Sequence, residues 1–536
     1  MGDPLMPAQS QQTYEGKANI KNGVTRALLA GAAIAVEVAF ALISFLRFSN
    51  YAAWISGFIR FLGALLVLAI YSQHKSATIR MTWVIIIMGL PVLGVALYLL
   101  IGLSGSTKAM RKRYETVDAA LMPLLPGDGH LFQELREQTP AFANISRYLK
   151  QCAGYPLWKD TAVTYYKDAA DGLEAQLKDL RKAKSFIFME YHAIEAAQAF
   201  GRIMDVLTEK VKEGVEVRVF YDDIGSIGFI STDFVKQLNS LGIQCRVFNP
   251  VGPLANVFLN NRDHRKITVI DGQVGFTGGY NLADEYFHLT EPFGFWKDTG
   301  LRLEGPAVKS LTVTFLEMWN AVNKDDADDR DYSRYLPDTV FDASSAPEDL
   351  AEAAAGFVQP YADSPLDDEH VGENVYMSLA ESAKDYVWFM TPYLLITDEM
   401  SSALGLAAKR GVDVRIVTPG IPDKKLVYQL TRSYYASLVR NGVRIFEYTP
   451  GFCHAKMAVA DDEAATCGTI NMDYRSLYHH FENGCIMYKS PAVLGIKKDF
   501  ESFFPECREV TEQYRTGRSH FLRLGQLILR LAAPLM

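Results

Sequence analysis

Two short stretches carry residue types at a spacing suited to phosphate chemistry. The first, Asn260 to Asp271, holds His264, Lys266 and Asp271 and runs on through Thr277-Gly278-Gly279-Tyr280-Asn281. The second, Phe452 to Asp461, repeats the order with His454, Lys456 and Asp461 and leads into Gly468 and Asn471. Side chains alternate along a strand, so His264 and Lys266 share a face, as do His454 and Lys456. Each copy offers half of a cationic site. Two ammonium groups, with Asn281 and Asn471, can hold the non-bridging oxygens of a phosphate and favour the charge that builds on them in the transition state. Two imidazoles on opposite sides of the phosphorus can divide the remaining work. One attacks to form a phosphoryl-histidine, while the other protonates the leaving alcohol and then activates the incoming hydroxyl. This scheme calls for no metal and no cofactor, because lysines and histidines supply the positive charge.

The elements that must position these stretches form a repeated α/β series. Ser185 to His192 reads as a buried strand, Ala199 to Lys212 as an amphipathic helix and Val215 to Tyr221 as the next strand. Tyr386 to Thr391, Met400 to Arg410 and Gly411 to Ile416 repeat that order. His454 follows His264 by 190 positions and Gly411 follows Gly214 by 197, so the offset is nearly constant across separate landmarks. Such constancy marks an internal duplication. The reading places one α/β domain at 104–324 and a second at 371–536, joined by an acidic linker or excursion at 325–370. The carboxylates of that linker read as a solvated surface, not a metal site.

Ahead of the duplicated body lies a polar N-terminus, 1–26, and an apolar region, 27–103. Met81 to Leu103 has no charged residue, and at about 1.5 Å per residue a helix there reaches roughly 34 Å, enough to cross a bilayer core. Further membrane spans are expected at 51–71, interrupted by Arg60, and at 27–46, which contains Glu37. Lys108, Arg111, Lys112 and Arg113 follow the last span and place the body on the cytoplasmic side of a multi-pass cell-membrane protein. Both this cluster and Lys17, Lys21 and Arg26 stay inside only if the number of crossings is even. Arg518, Arg523 and Arg530 stand among leucines in a segment suited equally to a membrane surface or to packing on the body. The net charge of −8 argues against a dominant nucleic-acid surface, and the six cysteines show no zinc or disulfide spacing.

The two motifs, with TGGYN and CGTIN behind them, resemble those of the phospholipase D superfamily. KSATIRMTWVIIIMGLPVLGVALYLLIG at 75–102, FGFWKDTGLRLEGPAV at 293–308, VTPGIPDKK at 417–425 and YRSLYHHFEN at 474–483 are similar to the bacterial cardiolipin synthases within it. The resemblance implies two duplicated phospholipase D-like α-β-α sandwich domains forming one shared site, preceded by transmembrane helices. It implies a catalytic set of His264, Lys266, Asp271, His454, Lys456 and Asp461, in which Asp271 and Asp461 fix strand ends and His264 is the nucleophile. Asp298 and Glu482 are the expected orienters of the imidazoles, with Asp298 holding His264, and Asn281 and Asn471 flank the phosphate. Phosphatidylglycerol and other membrane phospholipids are the implied substrates, giving cardiolipin and glycerol; use of phosphatidylethanolamine, hydrolysis to water and a non-catalytic lipid scaffold remain alternatives. Cys453 and His479-His480 depart from the family's usual residues, and His192 reads as a core or rim histidine.

Overall fold

The computed structural model describes residues 53–73, 76–99, 107–127, 129–250, 261–322, 331–338, 341–342, 344–515 and 530. The N-terminus 1–26, the apolar segment 27–46 and the basic stretch beyond Arg515, except Arg530, lie outside the described residues.

Among the described residues the first half builds nine strands: β1 (Ala162–Tyr166), β2 (Phe186–Tyr191), β3 (Glu216–Asp222), β4 (Gln244–Phe248), β5 (Arg262–Asp263), β6 (Lys266–Ile270), β7 (Val274–Gly278), β8 (Phe295–Lys297) and β9 (Gly300–Glu304). The second half continues with β10 (Phe357–Asp363), β11 (Tyr386–Met390), β12 (Leu394–Leu395), β13 (Asp413–Pro419), β14 (Arg444–Tyr448), β15 (Gly451–Cys453), β16 (Met457–Ala460), β17 (Ala464–Gly468), β18 (Met472–Asp473), β19 (His480–Tyr488) and β20 (Cys507–Glu509). The first sheet runs β1-β9-β7-β6-β2-β3-β4, and the second runs β10-β19-β17-β16-β11-β13-β14-β20. Strand for strand, the two orders match until β20 is added at the far edge. The duplication read from the motif offset is therefore a duplication of topology.

The central strands are apolar and β-branched, and β2, β6, β11 and β16 each contribute Val, Ile, Phe or Met at the sheet centre. β2–β3 and β11–β13 are parallel pairs, while β2–β6 and β11–β16 are antiparallel. Two helices lie between the sheets. Val308–Ala321, buried at every position except Lys309, packs on β2, β6 and β7 and also on β10 of the other half. Its counterpart Pro491–Phe503 packs on β16, β17 and β19 and reaches across to β1. Each half thus lends one helix to the edge strand of its twin, which locks the motif-bearing strands into a single frame.

Two expectations need correction. The stretch taken as linker up to residue 370 contains β10, every residue of which is buried and paired with β19. Pro360 is tolerated there because β10 lies at the sheet edge, whose outer side is bridged at Val358 by Trp158 but carries no further strand beside Pro360. The span expected at 81–103 is not one helix. Ala77–Gly89 ends at Leu90, whose backbone leaves helical geometry, and Pro91 opens a separate helix to Leu97. Pro91 has no N–H to continue the ladder, and Gly94 sits so close to Ile86 and Ile87 that a Cβ there would lie 2.6 Å from their backbone. Among the described residues no helix is long and apolar enough to cross a membrane. These helices nevertheless pack on Ala53–Tyr71 and leave Phe58, Phe61, Leu65, Leu68, Met81, Ile85 and Met88 exposed.

Candidate active site

The two histidines are delivered by short strand pairs that join the halves. β5 pairs in parallel with the start of β19, setting Arg262 against His480 and Asp263 against Phe481, and the His264 N–H donates to the Phe481 carbonyl at 2.8 Å. β8 pairs in parallel with β15, and the N–H groups of His454 and Ala455 both donate to the Lys297 carbonyl, at 2.7 and 3.1 Å. Each histidine is thereby pressed against the acidic residue of the opposite half. His264 Nδ1 lies 2.8 Å from Glu482 Oε2, and His454 Nδ1 lies 2.7 Å from Asp298 Oδ2. The expected match of Asp298 with His264 is corrected: the acid nearest in sequence holds the other imidazole. The inter-half strand pairs impose the crossing.

In both pairs the geometry assigns the proton to Nδ1, where it is donated to a carboxylate; His264 Nε2 keeps its lone pair, while His454 Nε2 lies 3.1 Å from the Lys456 ammonium. Burial is the first cause that holds both imidazoles below their ordinary pKa. For His264 the further causes are Lys266, His192, His480 and Lys456, which carry it well below the usual range. His454 is pushed down to about 4 by burial and Lys456, against the opposing pull of Asp298. The lysines respond to the same burial. Lys266 is lowered to about 7 and Lys456 to about 8, in each case with the nearby carboxylates resisting the shift. Burial raises the Glu482 carboxyl well above its ordinary value, with Lys266 opposing.

These groups surround a cavity of about 640 Å³ whose wall includes His264, His454, Asn281 and Asn471. Lys266 and Lys456 are not on that wall; each ammonium donates to the carbonyl of its own motif's histidine, Lys266 at 2.7 Å. Asn281 accepts from the Ala193 N–H at 3.1 Å and donates to the Tyr286 hydroxyl at 2.8 Å, whereas Asn471 Oδ1 is buried without a hydrogen-bond partner. Asp271 and Asp461 do not belong to the cavity. Asp271 accepts from the N–H groups of Lys184, Ser185 and Phe186 at the entry to β2, and Asp461 does the same for Lys384, Asp385 and Tyr386 at β11. Both have left-handed φ, near 53° and 51°, so they turn the chain and cap a strand, the strand-fixing part expected of them within the motif and one that keeps them away from the chemistry.

Several wall residues escape the motif. His192 donates from Nδ1 to the Asp263 carbonyl at 2.7 Å, and its ring centre lies 4.9 Å from that of His264. Tyr286 and Trp296 approach the His454 ring at 5.2 and 5.6 Å. Arg262, Arg475 and His480 line the His264 side. Of these, His480 stood out in the sequence as a departure from the family's usual residue and His192 as a histidine at a strand end. The ligating atoms of His264, His480 and Glu482 lie within 4.8 Å of one another, the one such group among the described residues. Arg475 Nε donates to His480 Nε2 at 3.2 Å, which puts the hydrogen of a neutral His480 on Nδ1 and leaves that nitrogen no lone pair for a metal.

A family model described as "Cardiolipin synthase, PLD-like domain" matches residues 177–319 and 376–504. An uncharacterised protein of Streptococcus mutans is 41% identical over 89% of this chain and 100% of its own length. Cardiolipin synthase 2 of Bacillus cereus is 32% identical over 88% of this chain and 89% of its own. Among solved structures, phosphatidylserine synthase of Haemophilus influenzae superposes with a TM-score of 0.53 at 13% identity, covering 74% of this chain and 99% of that one, a likeness of fold alone.

Proposed function

Because the chain belongs to the cardiolipin synthase family of PLD-like proteins, we propose that it moves a phosphatidyl group between two phosphatidylglycerol molecules, giving cardiolipin and glycerol. The observation that carries this reading is the convergence of His264 and His454 on one cavity, each tied through Nδ1 to a carboxylate of the other half. His264 Nε2 attacks the phosphorus of the first lipid. The phosphorus–oxygen bond to its terminal glycerol breaks, and an imidazolium at His454 gives its proton to the departing oxygen. His454, now neutral, takes the proton from the hydroxyl of the second lipid, whose oxygen attacks the phosphoryl-histidine. The phosphorus–nitrogen bond breaks, cardiolipin leaves and His454 is again protonated.

The assignment of His264 as nucleophile is supported by its surroundings. Burial and then Lys266 keep it neutral, while Asp298 makes His454 the easier of the two to protonate. Bound phosphodiester adds negative charge and raises both values, which brings His454 within reach of its role as acid. Lys266, Lys456 and the two asparagines supply the field and the donors for the phosphoryl oxygens. The lipid substrates fit an enzyme held at the bilayer. We assign that contact to the exposed apolar faces of Ala53–Tyr71 and Ala77–Gly89, followed by the positive side chains of Arg111, Lys112 and Arg113.

Purified full-length protein incubated with vesicles of headgroup-labelled phosphatidylglycerol is expected to release free glycerol in equal amount to cardiolipin. Phosphatidic acid as the sole lipid product would identify a hydrolase and overturn the proposal. Acid-labile phosphate retained on the protein during turnover marks the covalent step.

A further inference from the structure

His480 and Glu482 stand two residues apart at the start of β19, so their side chains emerge on one face, the face turned to His264. Arg475 fixes the hydrogen of His480 on Nδ1, as described above. That nitrogen lies 3.5 Å from Glu482 Oε1, and neither atom, though buried, has another hydrogen-bond partner. The other oxygen of Glu482 is already occupied, by His264 Nδ1 and by the Thr469 hydroxyl. In the twin pair the free carboxylate oxygen is served by the chain itself: Asp298 Oδ1 accepts from the Thr299 N–H at 2.8 Å while Oδ2 holds His454. No backbone amide fills that place for Glu482.

We propose that His480 is a positioning residue whose Nδ1–H holds Glu482 ionised and in place, so that His264 keeps its proton on Nδ1 and its lone pair on Nε2. The inference rests on the phosphatidyl-transfer reading of the site and deepens it. A protonated Glu482 would donate to His264 Nδ1, move the imidazole hydrogen to Nε2 and block the attack. Glu482 also faces Lys266 and Asp473, and His480 faces Arg475, His192, His479 and Arg262. The buried Ser476 hydroxyl also faces this carboxylate, but of the N–H donors His480 is the one set against the unpartnered oxygen Oε1. At 3.5 Å the two atoms stand at the long edge of hydrogen-bond distance, and the contact tightens as charge develops on His264 during phosphoryl transfer.

The test compares His480→Leu and His480→Gln in the full-length protein on phosphatidylglycerol vesicles. The leucine variant is expected to lower kcat on the order of 10- to 100-fold, the worth of one hydrogen bond to a buried charge, with KM within about twofold. Its acid-side limb in the pH profile of kcat moves to higher pH, because Glu482 takes up a proton more easily. The glutamine amide can donate to the same oxygen, so that variant recovers most of kcat and returns the limb. A leucine variant with an unshifted limb overturns the proposal, and so does a glutamine variant no better than leucine when both melt at the wild-type temperature. Loss of wild-type activity in EDTA with recovery on adding zinc also overturns it, by making His480 a ligand. If the wild type gives phosphatidic acid and no cardiolipin, the preceding reading fails, while the same pair of variants scored on phosphatidic acid release still decides the role of His480.

Discussion

His264 and His454 occupy equivalent places yet differ in what touches them, and that difference sets separable roles. A phosphatidyl donor with a p-nitrophenol leaving group needs no general acid. With it, His454→Ala is expected to give a burst of p-nitrophenol and trapped phosphoryl-histidine, and His264→Ala neither. The crossed pairs extend the test to the carboxylates: Asp298→Asn follows the His454 pattern and Glu482→Gln the His264 pattern, each falling on the order of 10²-fold or more in kcat with phosphatidylglycerol, as expected for losing an acid–base partner. Rescue of Asp298→Asn but not Glu482→Gln by the activated donor is the outcome to look for. The lysines predict a limb of a different kind. Burial lowers Lys266 to about 7 and Lys456 to about 8, so KM for phosphatidylglycerol is expected to rise as pH climbs through that range, measured in initial rates at constant ionic strength. A KM independent of pH from 6 to about 9 would remove the lysines from phosphate binding.

At the scale of elements, the two small strand pairs decide catalytic geometry. Gly451 in β15 sits so tightly on β8 that an added Cβ would lie 2.1 Å from the Phe295 carbonyl oxygen. Gly451→Ala is therefore expected to push β8 away and carry Asp298 from His454, costing about 1–3 kcal/mol of stability and lowering kcat more than that loss alone explains, as read from thermal melts beside initial rates. These pairs also mark where sequence reasoning stops. The doubled sheet was legible because its central strands are apolar runs bounded by glycines at Gly214 and Gly411, and both motifs fall in register with them. β5, β8 and β15 have two or three residues each, too few for any periodic signal, so the crossing of Asp298 to His454 had no trace in the chain. β10 was hidden for another reason. Its apolar Phe357, Val358 and Tyr361 lie beside Pro360 and a run of acidic residues that read as linker. His192 was visible as a residue at a strand end, but only the fold places its ring beside His264.

At the scale of the whole molecule, the proposed transfer between bilayer lipids requires the apolar N-terminal helices and the polar cavity to serve one surface. Deleting residues 1–106 is expected to leave the protein in the soluble fraction, with turnover on short-chain, micelle-forming phosphatidylglycerol retained and turnover on vesicles lost. The crossed carboxylates bear on heredity as well as on chemistry. A chimera joined between the two halves would draw each imidazole from one parent and its carboxylate from the other, so recombination at that point breaks both partnerships in a single event. Across relatives, changes at 298 should accompany changes around 454, 156 positions away, more faithfully than changes around 264.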